Sequence, residues 1–171
     1  IDNNDYKDGI VYNLGIKFEN GDIKQSRLYH LRLIEPDDQE LEIPDVKFDS
    51  IINMPSSDFQ KIIRDLGNIS EKLEIKSVNN ELIFLCKGAF ASVEIRRSES
   101  NGTMEFKQKN DSMKIIQGEF SLKNLALFIK CTNLCNQIEI YLENNLPLIV
   151  KYNVASLGEI KLCLSQLPQN D

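Results

Sequence analysis

The chain has 171 residues, of which 42% are apolar, and its 20 basic and 26 acidic side chains give a net charge of −6. This length and composition suffice for one large domain, or one and a half small ones, with a proper core. The longest apolar runs are far short of a membrane span and no signal peptide is visible, so no membrane association is expected. An acidic balance weakens a nucleic-acid function without excluding it, because a basic face can occur on an acidic protein.

The first predicted element is a β-hairpin. Two runs that alternate between apolar and polar residues, 13–19 and 23–32, flank the dipeptide Asn20-Gly21. Asn-Gly between two such runs is the strongest short-range signal of a hairpin. Residues 1–12 are polar and are expected to be a frayed end or the cut end of a further domain.

Residues 33–45 are predicted to form an extended connector. The segment contains Pro36 and Pro44, six acids and no base. Proline removes backbone donors, and a run of like charges stays solvated and extended. Leu41 and Ile43 lie just before the closing proline. These two apolar residues either anchor the connector to its own domain or help form a surface for something else.

The first half of the segment after the connector is predicted to be a strand, a helix and further strands. The helix is expected from Ser56 to Gly67, with apolar residues at i, i+3, i+4 and i+7 facing the core. Ser57 and Gln60 have the spacing of a capping box. The strands of this first half are expected at 46–54, 72–77, 81–86 and 89–97.

The second half of the segment after the connector repeats the first half. Ser121 is predicted to cap a helix that runs to about Lys130, and strands at 137–140 and 148–152 follow it. The pairs Ile75 and Ile140, and Asn79 and Asn144, are both 65 residues apart. This duplication predicts an α+β domain in which two helices pack against antiparallel sheet. Strands at 103–107 and 114–117 are expected between the strands of the first half and the helix of the second half.

No catalytic or metal-binding motif is visible. The spacings of Cys86, Cys131, Cys135 and Cys163 match no zinc or redox motif, and the single histidine, His30, lies on a predicted strand. There is no nucleophile–base arrangement, phosphate loop or cluster of metal ligands. We therefore expect a protein that is not an enzyme and that needs no metal or other cofactor.

Several segments resemble the proliferating cell nuclear antigen family, the eukaryotic-type DNA sliding clamps. The most specific are Met54-Pro-Ser-Ser-Asp-Phe followed by Arg64-Asp-Leu66, and the connector ending in Ile43-Pro44; Pro147–Tyr152 is similar to the C-terminal strands of the family. The resemblance implies the DNA-clamp fold. Residues 1–32 would then be the last strands of a first clamp domain that is mostly missing, 33–45 the interdomain connecting loop, and 46–171 the C-terminal clamp domain.

The resemblance also implies a function. Clamps of this family form a ring of three subunits around duplex DNA and tether DNA polymerase and other replication and repair proteins. Duplex DNA, a polymerase, a clamp loader and short-motif proteins would be the partners, in the nucleus or in a viral replication compartment. The alternatives are a subunit of a heterotrimeric checkpoint-type clamp and a peptide-binding adaptor that never contacts DNA.

Three sets of residues follow from the resemblance. The positions that would face DNA, which by composition alone would be an ordinary solvated face, are Lys61, Arg64, Lys123 and Lys130. The pocket for partner peptides would be formed by Leu41, Ile43, Pro44, Pro147, Leu164 and Ser165. The edges that would pair between subunits contain Tyr29 and Leu31 on one side and Ala89, Phe90, Val93 and Ile95 on the other. The family usually has an aromatic residue and then Ala-Pro near its C-terminal pocket, where this chain has Cys163 and then Ser165-Gln166.

Overall fold

The computed structural model describes residues 6–7, 10–34, 46–100, 102–109 and 114–168. The chain divides into two compact units, Ile1–Asp45 and Val46–Asp171. The strands of the first unit are β1 (Tyr6–Lys7), β2 (Ile10–Val11), β3 (Asn13–Asn20) and β4 (Gln25–Arg32). The strands of the second unit are β5 (Ser50–Pro55), β6 (Lys72–Val78), β7 (Glu81–Lys87), β8 (Ser92–Ser98), β9 (Glu105–Gln108), β10 (Ile116–Ser121), β11 (Gln137–Leu142), β12 (Leu148–Val154) and β13 (Gly158–Leu164). Its helices are α1 (Ser56–Gly67), α2 (Leu122–Phe128) and two 3-10 turns at Ile129–Leu134 and Ala155–Leu157.

The hairpin predicted in the first unit is confirmed. Strands β3 and β4 pair antiparallel along their full lengths, from Asn13 opposite Arg32 to Asn20 opposite Gln25. The turn contains four residues, and the side chain of Asn20 accepts a hydrogen bond from the backbone N–H of Asp22 at 3.1 Å. Lys24 closes the turn with φ of 47°, a left-handed conformation that tight turns often require.

The duplication predicted in the second unit is confirmed, and its two copies exchange strands. The sheets have the orders β10-β6-β7-β8 and β13-β12-β11-β5-β9. The strand before each helix therefore pairs with the other copy: β5 pairs with β11, and β10 with β6. The registers are equivalent, since Pro55 lies opposite Gln137 and Ser121 opposite Lys72. Neither copy can complete its sheet alone.

A single apolar core joins the sheets to the helices. Strand side chains alternate between a buried inner face and a more exposed outer face, as the two-residue period of a strand requires. The predicted stripe of α1 is buried, and it consists of Phe59, Ile62, Ile63 and Leu66. On α2 and the turn that follows it, Leu122, Leu125 and Ile129 are buried and Phe128 is half-buried.

Each helix is tied at its start to the main chain that follows the other helix. The N–H of Ser56 donates to the carbonyl of Asn136 at 3.0 Å, and the N–H of Leu122 donates to the carbonyl of Glu71 at 2.9 Å. The first N–H groups of a helix have no acceptor within the helix, so these bonds satisfy donors that would otherwise be unpaired. The predicted cap of α2 also forms, because Ser121 Oγ accepts from the N–H of Asn124.

The capping box predicted at Ser57 and Gln60 is wrong. No side chain caps α1, which begins at Ser56 directly after Pro55. The buried Ser56 hydroxyl instead donates toward the carbonyls of Cys135 (2.6 Å) and Thr132 (3.2 Å). These bonds cross from α1 to the end of the other helical segment.

The predicted helix ending near Lys130 is also corrected, because α2 ends at Phe128 and continues as a 3-10 turn. Side chains from outside the segment occupy its last carbonyls. Tyr152 Oη donates to the carbonyl of Phe128 at 3.1 Å, and Gln60 Nε2 donates to that of Ile129 at 3.3 Å. Such partners satisfy the free carbonyls of a helix end and allow the last turn to tighten.

The two largest differences from the predicted strand starts are at β5 and β8. Strand β5 begins at Ser50 rather than at Val46, and β8 begins at Ser92 rather than at Ala89. The second difference has a local cause, because the N–H of Gly88 donates to the carbonyl of Ala91 at 2.8 Å and closes a loop there. A side chain at Gly88 would lie 2.1 Å from the carbonyl oxygen of Ile69, so only glycine allows this approach.

The contrast between adjacent serines gives a test of the helix anchoring. Ser56→Ala should lower the free energy of unfolding by about 1–3 kcal/mol, because it removes a buried donor and leaves carbonyls unsatisfied. Ser57→Ala, at an exposed position, should change it by less than about 0.5 kcal/mol. Urea unfolding of both variants measures the difference, and a larger loss at Ser57 would contradict the assignment.

Candidate functional surfaces

The solvent-facing side of α1 carries two of the predicted DNA-facing residues. Lys61 and Arg64 are exposed and lie on one line with the exposed Ser57 and Asn68, at spacings of four, three and four residues. Such spacings place side chains on one face of a helix. Asp58 and Asp65 lie beside this line, toward β8, where with Lys61, Ile95 and Arg97 they border a shallow cleft.

The other two predicted residues, Lys123 and Lys130, are exposed on α2 and on the 3-10 turn after it. This helical segment carries no acidic residue. It packs beside α1, to which Gln60 joins it by a hydrogen bond. The structure therefore brings all four predicted cations together on one exposed helical layer.

These four cations have no carboxylate partner among the residues that the structure describes. Most other cations of the second unit do. The pairs are Lys72–Glu119, Lys76–Glu74, Arg96–Glu81, Arg96–Glu94, Arg97–Asp58, Lys107–Glu139, Lys109–Glu99, Lys114–Asp49, Lys114–Glu143, Lys151–Glu139, Lys151–Glu159 and Lys161–Glu159. Across 46–100, 102–109 and 114–168, only Lys47 and Lys87 share the unpaired state of the helical four. Among the described residues, the cations without an ion-pair partner are thus concentrated on the helices.

Carboxylates on the outer face of the five-stranded sheet hold the cations there. The Glu139 side chain is 12% exposed and accepts hydrogen bonds from Lys107 Nζ and from Tyr141 Oη at 2.5 Å. Burial acts to raise the pKa of Glu139, but these bonds and the charges of Lys107 and Lys151 outweigh it, so the pKa is lowered. Bonds from Lys151 and Lys161 likewise lower the pKa of Glu159. Both groups are therefore ionised at neutral pH.

The described members of the predicted peptide pocket meet at one end of the β12–β13 ladder. Leu148 pairs with Leu164, so Pro147 and Ser165 each adjoin the last pair of this ladder, and both are exposed. Leu164 itself alternates to the inner face, where it is half-buried against the core. The remaining predicted members, Leu41, Ile43 and Pro44, lie outside the described residues.

Sequence reasoning missed one neighbour of this surface and noted another only as a departure from the family. Ile149 and Cys163 are paired across β12 and β13 and share the outer face with Pro147 and Ser165. Cys163 is exposed and Ile149 is half-buried. Counting two residues along each strand would have found them, since alternate residues of a strand share a face.

The predicted subunit edge on β8 is placed differently from the prediction in one respect. Val93 and Ile95 lie on β8, which ends the order of its sheet, and both are half-buried against the core. Ala89 and Phe90, however, are not on the strand. They lie in the exposed loop that Gly88 closes, where Phe90 is 78% exposed. An edge strand offers unpaired backbone groups for pairing with another chain.

Tyr29 and Leu31 lie on the apolar face of the hairpin in the first unit. Both are about half exposed. The Tyr29 ring packs edge-on against Phe18, with 5.8 Å between ring centres. Nothing in this hairpin buries Tyr29 completely, so its ring offers apolar area to a further contact.

The described residues contain neither a membrane-spanning helix nor a cluster of metal ligands. Neither α-helix there is long and apolar enough to cross a membrane. The same residues contain no group of three or more His, Cys, Asp or Glu side chains arranged to hold a metal ion.

A duplicated α+β domain with two adjacent helices on antiparallel sheet has the DNA-clamp fold. Residues 42–167 match the model of the family described as proliferating cell nuclear antigen, C-terminal domain. The chain belongs to this family.

Named relatives agree with the family match. A probable DNA polymerase sliding clamp of Acanthamoeba polyphaga mimivirus is 35% identical over 87% of this chain and 31% of its own length. A probable DNA polymerase sliding clamp 1 of Paramecium bursaria Chlorella virus 1 is 35% identical over 81% of this chain and 53% of its own length. The proliferating cell nuclear antigen of Chaetomium thermophilum is 29% identical over 89% of this chain and 60% of its own length. The chain thus spans about a third to three-fifths of these relatives.

Proposed function

We propose that the protein is a DNA sliding clamp, a processivity factor without enzymatic activity that encircles duplex DNA and tethers a DNA polymerase. The observation that carries this proposal is the helical layer with four unpaired cations, in a domain that otherwise pairs most of its charges. The family and the names of the relatives support it. They also favour a replicative clamp over a checkpoint-type subunit or a peptide adaptor without DNA contact.

The chemistry of the four cations suits sliding. Lysine and arginine on an open helical face can contact phosphates, and such contacts carry no sequence information. Binding of this kind is non-specific and weakens steeply as salt concentration rises. A protein that must move along any duplex needs that property, and base-specific contacts would hinder it.

Replacing Lys61, Arg64, Lys123 and Lys130 together by alanine should weaken binding to duplex DNA and leave folding intact, because all four are exposed. The dependence of log K on log salt should become shallower by about 0.9 for each phosphate that the variant no longer neutralises. Fluorescence anisotropy with a labelled duplex, repeated at several salt concentrations, measures this slope.

A matched control separates phosphate contact from net charge. Replacing Lys72, Arg96, Lys109 and Lys161 by alanine removes the same number of lysines and arginines, but from exposed, carboxylate-paired positions. This variant should keep a slope close to that of the parent. Equal slopes for the two variants would mean that the helical layer has no special role in DNA binding.

We also propose that the outer surface at Pro147, Ile149, Cys163 and Ser165 takes up short peptides from the polymerase, the clamp loader and other replication and repair proteins. Two of these residues are apolar, which suits the hydrophobic anchors of a peptide. The contribution of Leu41, Ile43 and Pro44 in the connector stays a prediction. The acids around them should favour peptides flanked by Lys or Arg, mainly through faster association.

Leu41→Ala combined with Ile43→Ala tests that prediction. The pair should weaken binding of a short helical peptide with aliphatic and aromatic anchors about tenfold or more, because even partial burial of two aliphatic side chains is worth over 1 kcal/mol. Calorimetry gives the affinity. Ile23→Ala with Leu157→Ala, at two exposed positions, is the control.

The rate at which Cys163 is alkylated measures peptide binding independently of calorimetry. A bound peptide should slow alkylation of this exposed thiol, while the buried Cys86 stays unreactive throughout. Parent-like affinity of the double variant, together with a large drop in melting temperature, would show that Leu41 and Ile43 are core residues only.

We further propose that subunits assemble into a homotrimer through the β8 edge of one and the β4 edge of the next. Two different edges on one chain form a heterologous contact, which is the kind of contact that a ring of identical subunits requires. Tyr29→Ala in the complete gene product should shift a trimer toward monomers, because it removes half-exposed aromatic area from such a contact. Light scattering measures the mass, with Tyr12→Ala, also about half exposed, as the control. An unchanged mass for Tyr29→Ala would confine this residue to its own hairpin.

The site of action follows from the proposed function. A clamp works where DNA is replicated, which is the nucleus for a cellular protein and the replication compartment for a viral one. The relatives include both viral and fungal proteins.

A further inference from the structure

The loop between β11 and β12, residues 143–147, is bound by the C-terminal tail. Gln166, two residues beyond the end of β13, directs its amide at this loop. Its Nε2 donates to the carbonyl of Leu146 at 3.0 Å and toward that of Glu143 at 3.4 Å. One side chain thus joins the tail to both ends of the turn that leads into Pro147.

The tail is held at a second point as well. The N–H of Leu167 donates to the carbonyl of Glu119 on β10 at 2.8 Å. Between these contacts Gln166 passes over Gly118, where a Cβ atom would lie 2.9 Å from both Cδ and Nε2 of Gln166. Glycine at this position therefore leaves the space that the Gln166 amide occupies.

The opposite side of the loop is fixed by Glu143, whose side chain is only 13% exposed. Its carboxylate accepts from the N–H of Asp49 at 3.0 Å and from Lys114 Nζ at 3.1 Å. The next residue, Asn144, accepts from the N–H of Gln117 at 2.9 Å and donates to the carbonyl of Ile115 at 3.0 Å. The loop is thus anchored on one side while Gln166 attaches the tail on the other.

We propose that Gln166 is a positioning residue for the peptide-binding surface: by bonding the 143–147 loop, it holds Ser165 beside Pro147 before any peptide arrives. This inference rests on the proposed uptake of peptides. The β12–β13 ladder ends at Leu164, so its backbone pairing does not extend to Ser165, and the contacts of Gln166 and Leu167 hold the chain on the other side of this residue. A preformed surface binds more tightly than one that must be ordered on binding, because the ordering cost has already been met in folding.

Gln166→Glu is the sharpest test, because the new carboxylate has the same size but cannot donate to two carbonyl oxygens. A fluorescein-labelled synthetic helical peptide with aliphatic and aromatic anchors and flanking lysines serves as the probe. We expect about tenfold weaker binding, mostly as faster dissociation. Gln166→Ala, which removes the bonds without adding repulsion, should weaken binding about threefold. Gln137→Glu, the same charge change at the far end of β11, should bind as the parent does.

Two further readouts separate positioning from a general loss of stability. The melting temperature should change little in all three variants, because Gln166 and Gln137 lie outside the hydrophobic core. Hydrogen exchange at the Leu167 amide should become faster in both Gln166 variants and stay unchanged in Gln137→Glu.

The outcomes distinguish this inference from the proposed function. If the parent binds the peptide and the Gln166 variants bind it equally well, Gln166 has no positioning role, although peptide uptake stands. If the parent does not bind the peptide at all, the proposed uptake fails and the role of Gln166 fails with it. Weaker binding accompanied by a large drop in melting temperature would also overturn the inference, because a general loss of stability would then explain the weaker binding.

Discussion

The reciprocal hydrogen bonds at the two helix starts are the constraint on which the second unit depends. Ser56 and Leu122 each donate a backbone N–H to the main chain that follows the opposite helix. Together with the exchange of β5 and β10 between the copies, these bonds make each copy a structural requirement of the other. They also fix the helices side by side, which brings the cations of two distant sequence segments onto one layer.

The distribution of charge over the chain, rather than the net charge, leaves cations on this helical layer without ion-pair partners in the described part of the chain. Residues 46–171 contain equal numbers of basic and acidic residues. The sheet pairs nearly all of its cations with carboxylates such as Glu139 and Glu159, whose lowered pKa values keep them ionised. The helices retain Lys61, Arg64, Lys123 and Lys130 without partners among the described residues. A surface for phosphates can therefore exist on an acidic chain, because ion pairing removes the positive charge elsewhere.

The hairpin, the buried stripe of α1 and the duplication were predictable because each depends on residues close in sequence or on a repeat visible by comparison. The candidate cations were assigned by resemblance, and the structure shows that they are exposed on two helical segments that pack together. The role of Ser56 was not predictable, since its partners lie near residue 135. The place of Phe90 was missed for a similar reason, because the loop around it is imposed by the approach of Gly88 to Ile69.

The sequence by itself determined the elements and their amphipathic faces, because side-chain periodicity and turn residues act over a few positions. Only the tertiary structure decided how far α2 extends, which serine anchors α1, and that Pro147 and Ser165 adjoin the same end of the β12–β13 ladder. Those outcomes depend on hydrogen bonds and strand pairing between residues far apart in the chain. At the end of α2, Tyr152 and Gln60 donate to the carbonyls of Phe128 and Ile129; the Tyr152 bond needs β12 to lie against this helix, and the Gln60 bond forms only when the two copies pack together.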